Sequence, residues 1–346
     1  METPLATELA PPKAAALPVL RPMSIGEIID RALQMFRANF PRLPLLMLVF
    51  QTPIYALTKG FQIVILDRAP VLSRPGAFHG ALPDAAQVAW FLGALFVAVV
   101  GSLVLYQLAV ATLTTGTARA FLGERIEAGR ALREGMARAP HLLGTFFLLI
   151  TWCTLLLTLS VVPGAGVMAL GLVSAQTAGG RVSLLLLGLG LVLALLVIVG
   201  LYLFLRYALV SEVVVIEKRS FIGAMRRSAS LMSGRVGRSA MDNCKVRASI
   251  LYAVNFCISI SVAIVTSIPT YVVNSLYGVS PFDPERYDPA LVPLWASVPV
   301  EVLGVFAQAM VAPFGVLSVI VFYFDLRIRR EGFDLEVMAG RMEPGL

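Results

Sequence analysis

Six long apolar stretches constrain the fold of this sequence more than any other feature. A bilayer core about 30 Å thick is crossed by roughly 20 apolar residues in a helix. Six stretches reach that length, at residues 43–66, 88–111, 142–162, 183–205, 250–273 and 298–324. Backbone polar groups inside a bilayer must be satisfied within the segment, so we predict that each stretch is a helix. The predicted fold class is an all-α, polytopic transmembrane bundle of six helices.

The low charge content supports this class. Only 14% of the 346 residues are charged and 58% are hydrophobic, whereas soluble domains carry about 25% charged residues. A chain this apolar is also outside the range of disordered proteins. The middle four stretches contain no Asp, Glu, Lys or Arg, while Lys59 and Glu301 fall inside the first and the last.

The basic residues between the stretches predict an orientation. Alternate segments, beginning with the N-terminal one, hold 23 of the 28 Lys and Arg residues, and the segments between them hold 4. Basic loops stay on the cytoplasmic side, so we expect both termini in the cytoplasm of a bacterial cell and the spans in its cytoplasmic (inner) membrane. The net charge of +7 then reflects topology, and we expect no nucleic-acid partner.

The domain organisation follows from the spans. We expect a disordered cytoplasmic tail at 1–21, a six-span membrane domain at 22–336 and a cytoplasmic tail at 337–346. Residues 1–20 contain two Glu and four Pro and lack the pattern of a signal peptide, so the first span is expected to be an uncleaved anchor. Residues 163–175 are either a bent extension of the third helix, which we favour, or a re-entrant segment.

Amphipathic helices are predicted on the cytoplasmic side. Ser24 and Glu27 form a capping box, and the apolar residues behind it share one helical face. This helix lies in the membrane interface, packs on the bundle, or does both. A similar stretch precedes the third span, where Ala137 and Pro140 repeat Ala38 and Pro41. A third stretch, at 221–234, matches only in character, so three helix-plus-hairpin repeats remain a hypothesis.

Helix packing is also suggested by small residues at a spacing of four. Gly190 and Ala194 have this spacing in the fourth span. Small residues let helices approach closely in lipid, so we expect a close helix contact there.

Two terminal motifs, at 22–32 and 323–336, and the stretch at 224–228 resemble a bacterial family of six-span proteins. That family is named for the membrane domain attached to some glycerophosphodiester phosphodiesterases. The resemblance covers nearly the whole chain, although Ala229 stands where many members have tryptophan. The family's hydrolytic activity belongs to a separate barrel of roughly 250 residues, and the longest segment between spans is only 206–249. The resemblance therefore implies a membrane module without a catalytic domain.

Charged and polar residues inside spans are candidate functional sites. Lys59 and Glu301 are expected at similar depths near the non-cytoplasmic side, and Gln308 lies two turns further along the last span. Lys59, Glu301 and Gln308 are therefore a candidate intramembrane polar site that lines a cavity or a transport path. The alternative is a static Lys59–Glu301 ion pair, or snorkelling of each side chain to the interface.

Charges near the cytoplasmic helix ends form further candidates. Arg206, Glu212 and Asp325 are expected to cluster there and to tie helices together or to form a gate. Arg226, Arg227, Arg235 and Arg238 are candidate contacts for lipid headgroups, although the orientation rule explains these arginines equally well. The charges from Asp325 to Glu336 alternate in sign, which predicts a solvated helix with local salt bridges or a partner-docking surface.

No enzyme signature accompanies these residues. The two histidines, His79 and His141, are predicted on opposite sides of the membrane, and the three cysteines lack metal-ligand spacing. The acidic loop with Asp283, Glu285 and Asp288 is expected to be solvated, with weak cation binding as the alternative. We expect no cofactor, no metal site and no catalytic residue.

The function that these observations favour is that of a non-enzymatic membrane scaffold or accessory subunit of a cytoplasmic-membrane complex. Its expected partners are membrane lipids and other membrane proteins. A transporter or channel for a small or lipid-like solute is the first alternative, and a membrane-embedded enzyme is the second. The oligomeric state does not follow from the sequence.

Overall fold

The protein is all-α, as predicted. The computed structural model describes residues 21–68, 84–121, 126–174, 177–234, 242–280 and 291–332. The expectations for the tails up to residue 20 and from 333, and for the acidic loop at 281–290, lie outside the described residues. The helices are α1 (Ile25–Ala38), α2 (Arg42–Arg68), α3 (Ala85–Phe121), α4 (Ala128–Ser174), α5 (Ala178–Arg206), α6 (Val210–Ile216), α7 (Phe221–Leu231), α8 (Cys244–Leu276) and α9 (Leu294–Glu331).

The long helices are those of a multi-pass membrane protein. In the described chain, α3, α4, α5 together with α6, α8 and α9 are each long and apolar enough to cross a bilayer. The first predicted span is long and apolar enough to cross a bilayer only when α1 and α2 are taken together. The two helices, Ile25–Ala38 and Arg42–Ile65, meet at an angle of 86°. Helix α2 alone is not apolar enough because it carries polar residues among its apolar ones, namely Gln51, Thr52, Thr58, Lys59 and Gln62.

Helix α9 is the central element of the bundle. It packs against α8, α2, α1 and α3. In the most apolar 18-residue stretch of α9, 44% of the residues are buried. In the corresponding stretches of the other four long helices, 6% to 11% of the residues are buried. The remaining long helices therefore present most of their apolar surface outward, as expected for helices solvated by lipid.

The buried residues gather at one end of the bundle. We call this region the charged end, and it comprises residues 21–50, 107–121, 126–145, 200–234, 242–252 and 317–332. The rings of Phe121 and Phe324 stack there with centroids 4.4 Å apart, beside the fully buried Tyr323. We call the rest of the described chain the opposite half, and nearly all of its large apolar side chains are exposed or half-buried.

Helix α1 packs on the bundle, as one of the two predicted placements requires. Ser24 and Glu27 form the predicted capping box. Ile28, Ala32 and Met35 are buried, and the helix contacts α9 and α8. Part of its apolar face is thus covered by protein.

The first two units of the proposed repeat differ in structure. Helix α4 runs without a break through Pro140 and Pro163 to Ser174, so residues 163–174 extend the helix and do not form a re-entrant segment. The chain breaks between α1 and α2, where Asn39 is the C-cap. The matching residue in the second unit is Arg138, a better helix former than Asn, and it donates a hydrogen bond to the carbonyl of Val215.

Glycines bring α4 and α5 together in the opposite half, at a different place from the predicted one. A Cβ on Gly164 would lie 2.8 Å from the carbonyl oxygen of Gly188, and a Cβ on Gly188 would lie 2.8 Å from that of Gly164. A Cβ on Gly190 would meet nothing within 4 Å. The prediction that Gly190 makes the contact is wrong because its face of α5 points away from α4, while Gly188 faces it.

Candidate functional site

A buried carboxylate organises the charged end. Asp325 is fully buried near the end of α9. Its carboxylate is 2.9 Å from Arg247 Nη2 on α8 and 3.0 Å from Arg329 Nε, one turn further along α9. A buried carboxylate is tolerated when it is paired and hydrogen-bonded, and here two guanidinium groups supply that compensation.

The same cluster holds the segment that precedes α1. The backbone N–H of Met23 donates to Asp325 Oδ1 at 2.8 Å. Arg247 and Arg329 each donate through Nη2 to the carbonyl oxygen of Met23, also at 2.8 Å. Both backbone polar groups of Met23 are therefore bound, and the two terminal motifs of the sequence meet at this point.

A second ion-pair network joins α7 to α9. Arg227 donates through Nε to Glu217 Oε2 at 2.9 Å and through Nη2 to Glu331 Oε2 at 2.7 Å. Tyr323 donates its hydroxyl to Glu217 at 2.9 Å, and Arg327 Nε lies 3.2 Å from Glu331. The hydrogen bond to Glu331, together with that to Glu217, raises the pKa of the Arg227 guanidinium above its usual range. This network fixes α7 against the end of α9.

Arg330 closes the end of α7. Its guanidinium donates to the carbonyl oxygens of Ser230, Leu231 and Ser233. The last carbonyls of a helix have no partner within the helix, and a cation there also interacts favourably with the helix dipole. The predicted local salt bridges form, as Asp325–Arg329 and Arg327–Glu331. The prediction that this stretch is solvated is wrong for Asp325, which is fully buried.

The predicted cluster of Arg206, Glu212 and Asp325 does not form. Asp325 is paired with Arg247 and Arg329. Arg206 folds back along α5 and donates to the hydroxyl of Tyr202, one turn earlier, at 2.6 Å. Glu212 is buried and accepts a hydrogen bond from the Ser211 hydroxyl at 3.0 Å. Each side chain has a nearer partner than the other two, so proximity to helix ends was not sufficient to predict contact.

The arginines predicted to contact lipid headgroups differ in their environment. Arg227 is held by Glu217 and Glu331, so the prediction that it is available to a lipid is wrong. Arg226 is exposed on α7 and keeps its candidate status. Arg235 and Arg238 lie outside the described residues.

A polar seam joins α2 to α9 in the opposite half. Lys59 Nζ is 2.7 Å from Glu301 Oε1 and 3.4 Å from the hydroxyl of Ser297. Tyr55 donates its hydroxyl to Glu301 Oε2 at 2.8 Å. The structure thus brings Lys59 and Glu301 together, with their side chains 10% and 26% exposed.

The seam continues towards the charged end through amides. Gln51 Nε2 lies 3.4 Å from Gln308 Oε1, and Gln51, Tyr55 and Lys59 follow one another at one-turn intervals on α2. Beyond it, Asn255 on α8 donates to the buried Ser318 on α9 at 2.8 Å. Polar contacts between helices are expected inside lipid because unpaired groups are costly there.

Some of these partners were missed at the sequence level. The spacing of Gln51, Tyr55 and Lys59 in an apolar span is a signal that could have revealed the seam. The four-residue spacing of Asp325 and Arg329 could have revealed half of the buried cluster. Arg247 and the backbone of Met23 contact Asp325 from distant parts of the chain, and no local sequence pattern predicts these contacts.

Two grooves accompany the seam. One of about 800 Å³ lies between α2 and α3, is lined by apolar residues such as Phe61 and Trp90, and includes neither Lys59 nor Glu301. The other, of about 370 Å³, lies between α8 and α9 and is bordered by Gln308. Within the described residues, no group of three or more His, Cys, Asp or Glu side chains is placed to hold a metal ion.

These features define a multi-pass, all-α membrane protein with an ion-paired end and a polar seam between two spans. Comparison of the chain with models of known protein families, with curated protein sequences and with solved structures gave no match.

Proposed function

We propose that this chain is a non-enzymatic component of the bacterial cytoplasmic membrane that acts as a scaffold or accessory subunit of a membrane complex. In this proposal the charged end and both termini face the cytoplasm, as the distribution of basic residues indicates. The resemblance of the terminal motifs to a six-span membrane family without its catalytic barrel supports the same role.

The proposal depends mainly on the network of ion pairs that joins several helices at the charged end. Ion pairs of Asp325, Glu217 and Glu331 with arginine join α7, α8 and α9. The segment before α1 is joined to them by a hydrogen bond from the Met23 backbone to Asp325. Such a cluster makes a rigid platform, and Phe221 and Ile222 on the adjoining α7 are exposed, 49% and 56% respectively. Exposed apolar residues beside charges are typical of docking surfaces.

Extraction of the tagged chain with its surrounding lipid, followed by measurement of particle mass, tests the proposal. We expect one or more defined protein partners in a constant ratio to the chain. The variant Ile222→Ser/Arg226→Gln on α7 should lose them, whereas Leu193→Ala on the exposed face of α5 should keep them. A particle that contains this chain and lipid only would contradict the scaffold proposal.

The orientation is tested by labelling single cysteines in intact cells. Cys153, Cys244 and Cys257 are first replaced, and a cysteine is then placed at Arg226 or at Asp84, which are exposed at opposite ends of the bundle. A membrane-impermeant maleimide should label position 84 and spare position 226. The reverse pattern would overturn the cytoplasmic placement of the charged end.

The polar seam favours a second candidate, a transporter or channel for a small or lipid-like solute. An intramembrane Lys–Glu pair with a tyrosine partner is a feature of transport paths as well as of static bundles. Under this candidate, Glu301→Gln should abolish solute or proton flux in proteoliposomes at temperatures well below its melting temperature, whereas a Thr58→Ser control should keep the flux. Unchanged flux would remove the candidate.

A further inference from the structure

Helices α5 and α8 meet at the charged end and leave a gap below it. The rings of Phe204 and Tyr252 are 4.9 Å apart, and Lys245 Nζ on α8 lies 4.1 Å from the ring centre of Tyr202 on α5. One turn further into the bundle, Phe256 on the Tyr252 face and Leu201 on the Phe204 face are 65% and 54% exposed. Protein side chains therefore do not fill the space between these faces.

Two cations stand at the top of this gap. Arg206 Cζ is 5.8 Å from the ring centre of Tyr202, the ring that also contacts Lys245. Within the described part of the chain, neither Arg206 nor Lys245 forms an ion pair with a carboxylate. Arg247, Arg227 and Arg329 at the same end all form such pairs.

The local backbone adds to this positive charge. Lys245 lies in the first turn of α8, whose N-cap is Asn243, and a helix N-terminus attracts anions. The Nε–H of Arg206 is buried without a hydrogen-bond partner in the described structure. Because this nitrogen is shielded from the surface, an anion would act on the Arg206 guanidinium through its charge and not through a hydrogen bond to Nε.

We propose that Arg206 and Lys245 bind the phosphate of an anionic phospholipid whose acyl chain lies in the gap between α5 and α8. Arginine and lysine are the side chains that recognise phosphate, and basic pockets between spans accept lipid headgroups. The apolar faces directly below the cations favour a lipid over free phosphate. Phe256 also borders the 370 Å³ groove between α8 and α9, which extends the apolar path.

This site is distinct from the arginines of α7 that the sequence suggested, and it does not depend on the scaffold role. The test is titration of the purified full chain with fluorescent phosphatidylglycerol, with phosphatidylcholine as the zwitterionic reference. Each lost basic contact at a membrane surface weakens binding about fivefold. We therefore expect Arg206→Gln/Lys245→Gln to raise the apparent Kd by about tenfold or more.

A charge-matched control separates the site from general attraction. The variant Arg37→Gln/Arg133→Gln removes two exposed cations of the charged end and should change the Kd less than twofold. Equal weakening by both double variants, or none by the first, would overturn the site. Displacement of the lipid by inorganic phosphate as readily as by unlabelled phosphatidylglycerol would contradict a lipid ligand.

A variant that keeps both cations tests the acyl chain. Leu201→Trp fills the gap and should weaken lipid binding, while Leu193→Trp on the exposed face of α5 should not. This pair also carries the test if the double variant does not fold, as judged by its melting temperature. Unchanged binding in Leu201→Trp would contradict an acyl chain between α5 and α8.

Discussion

The charged end and the opposite half of the bundle are held together by different interactions. At the charged end, buried carboxylates bind arginines from distant parts of the chain, and apolar side chains fill the space around them. In the opposite half, helices meet through glycine contacts and one polar seam, and most large apolar side chains face outward. The first region resembles the core of a soluble protein, and the second resembles a membrane bundle.

The placement proposed above, with the charged end in water and the opposite half in lipid, accounts for this difference. Lipid is as apolar as a leucine side chain, so helices inside the bilayer gain little from apolar burial and depend on close packing and hydrogen bonds. At the charged end, water competes for the same polar groups, and apolar burial again contributes to stability. Substitutions in the two regions should therefore differ in size and in mechanism.

The largest effect is expected at Asp325. Asp325→Asn keeps the shape of the side chain but leaves the buried Arg247 and the half-buried Arg329 without their counter-charge. Loss of one member of a buried pair costs about 3–5 kcal/mol. The melting temperature should fall sharply, and a cysteine at position 24 should react faster as the Met23 segment is released.

Glu134→Gln is the matched control for this prediction. The Arg119–Glu134 pair joins α3 to α4 with both side chains about one-third exposed, and such a pair contributes about 0–1 kcal/mol. Similar losses of stability in Asp325→Asn and Glu134→Gln would show that the contribution of an ion pair at the charged end does not depend on its burial.

The seam should produce the next largest effect. Lys59→Met or Glu301→Gln leaves the other member of the pair without its ionic partner, and we expect a loss of about 2–3 kcal/mol for each. The double variant should cost less than the sum of the two single variants, because neither charge is then left alone. Additive losses in thermal unfolding would contradict energetic coupling between Lys59 and Glu301.

A third effect is expected where α4 crosses α5. A side chain at Gly188 would collide with the backbone of Gly164 and the side chain of Met168, so Gly188→Val should cost about 1–3 kcal/mol. Gly190→Val, on the same helix with open space around it, introduces the same residue without the collision. If both variants melt alike, the glycine contact does not hold the opposite half together.

The sequence predicted the two regions unequally. Apolar runs revealed the long helices, and the Ser24–Glu27 capping box revealed the start of α1, because both signals are local. Lys59 and Glu301 were identified because charge is rare inside an apolar span. Arg247 and the peptide group of Met23 were not identified, because their pairing with Asp325 depends on how distant segments pack. Gly188 was missed in favour of Gly190 because the face of α5 that meets α4 is set by the whole hairpin.

The smallest effect is expected at Ser24, where local and tertiary interactions act on the same segment. Its hydroxyl accepts a hydrogen bond from the backbone of Glu27 at 3.3 Å, and the Glu27 carboxylate accepts one from the backbone of Ser24 at 2.7 Å. Ser24→Ala should cost about 1 kcal/mol, and Ser24→Asp, which also caps helices, should restore most of that loss. Thermal unfolding of both variants measures the difference. If Ser24→Ala destabilises the protein as much as Asp325→Asn does, the helix cap and not the buried cluster holds α1 in place. The stability of the charged end would then depend on a local helix cap and not on buried ion pairs.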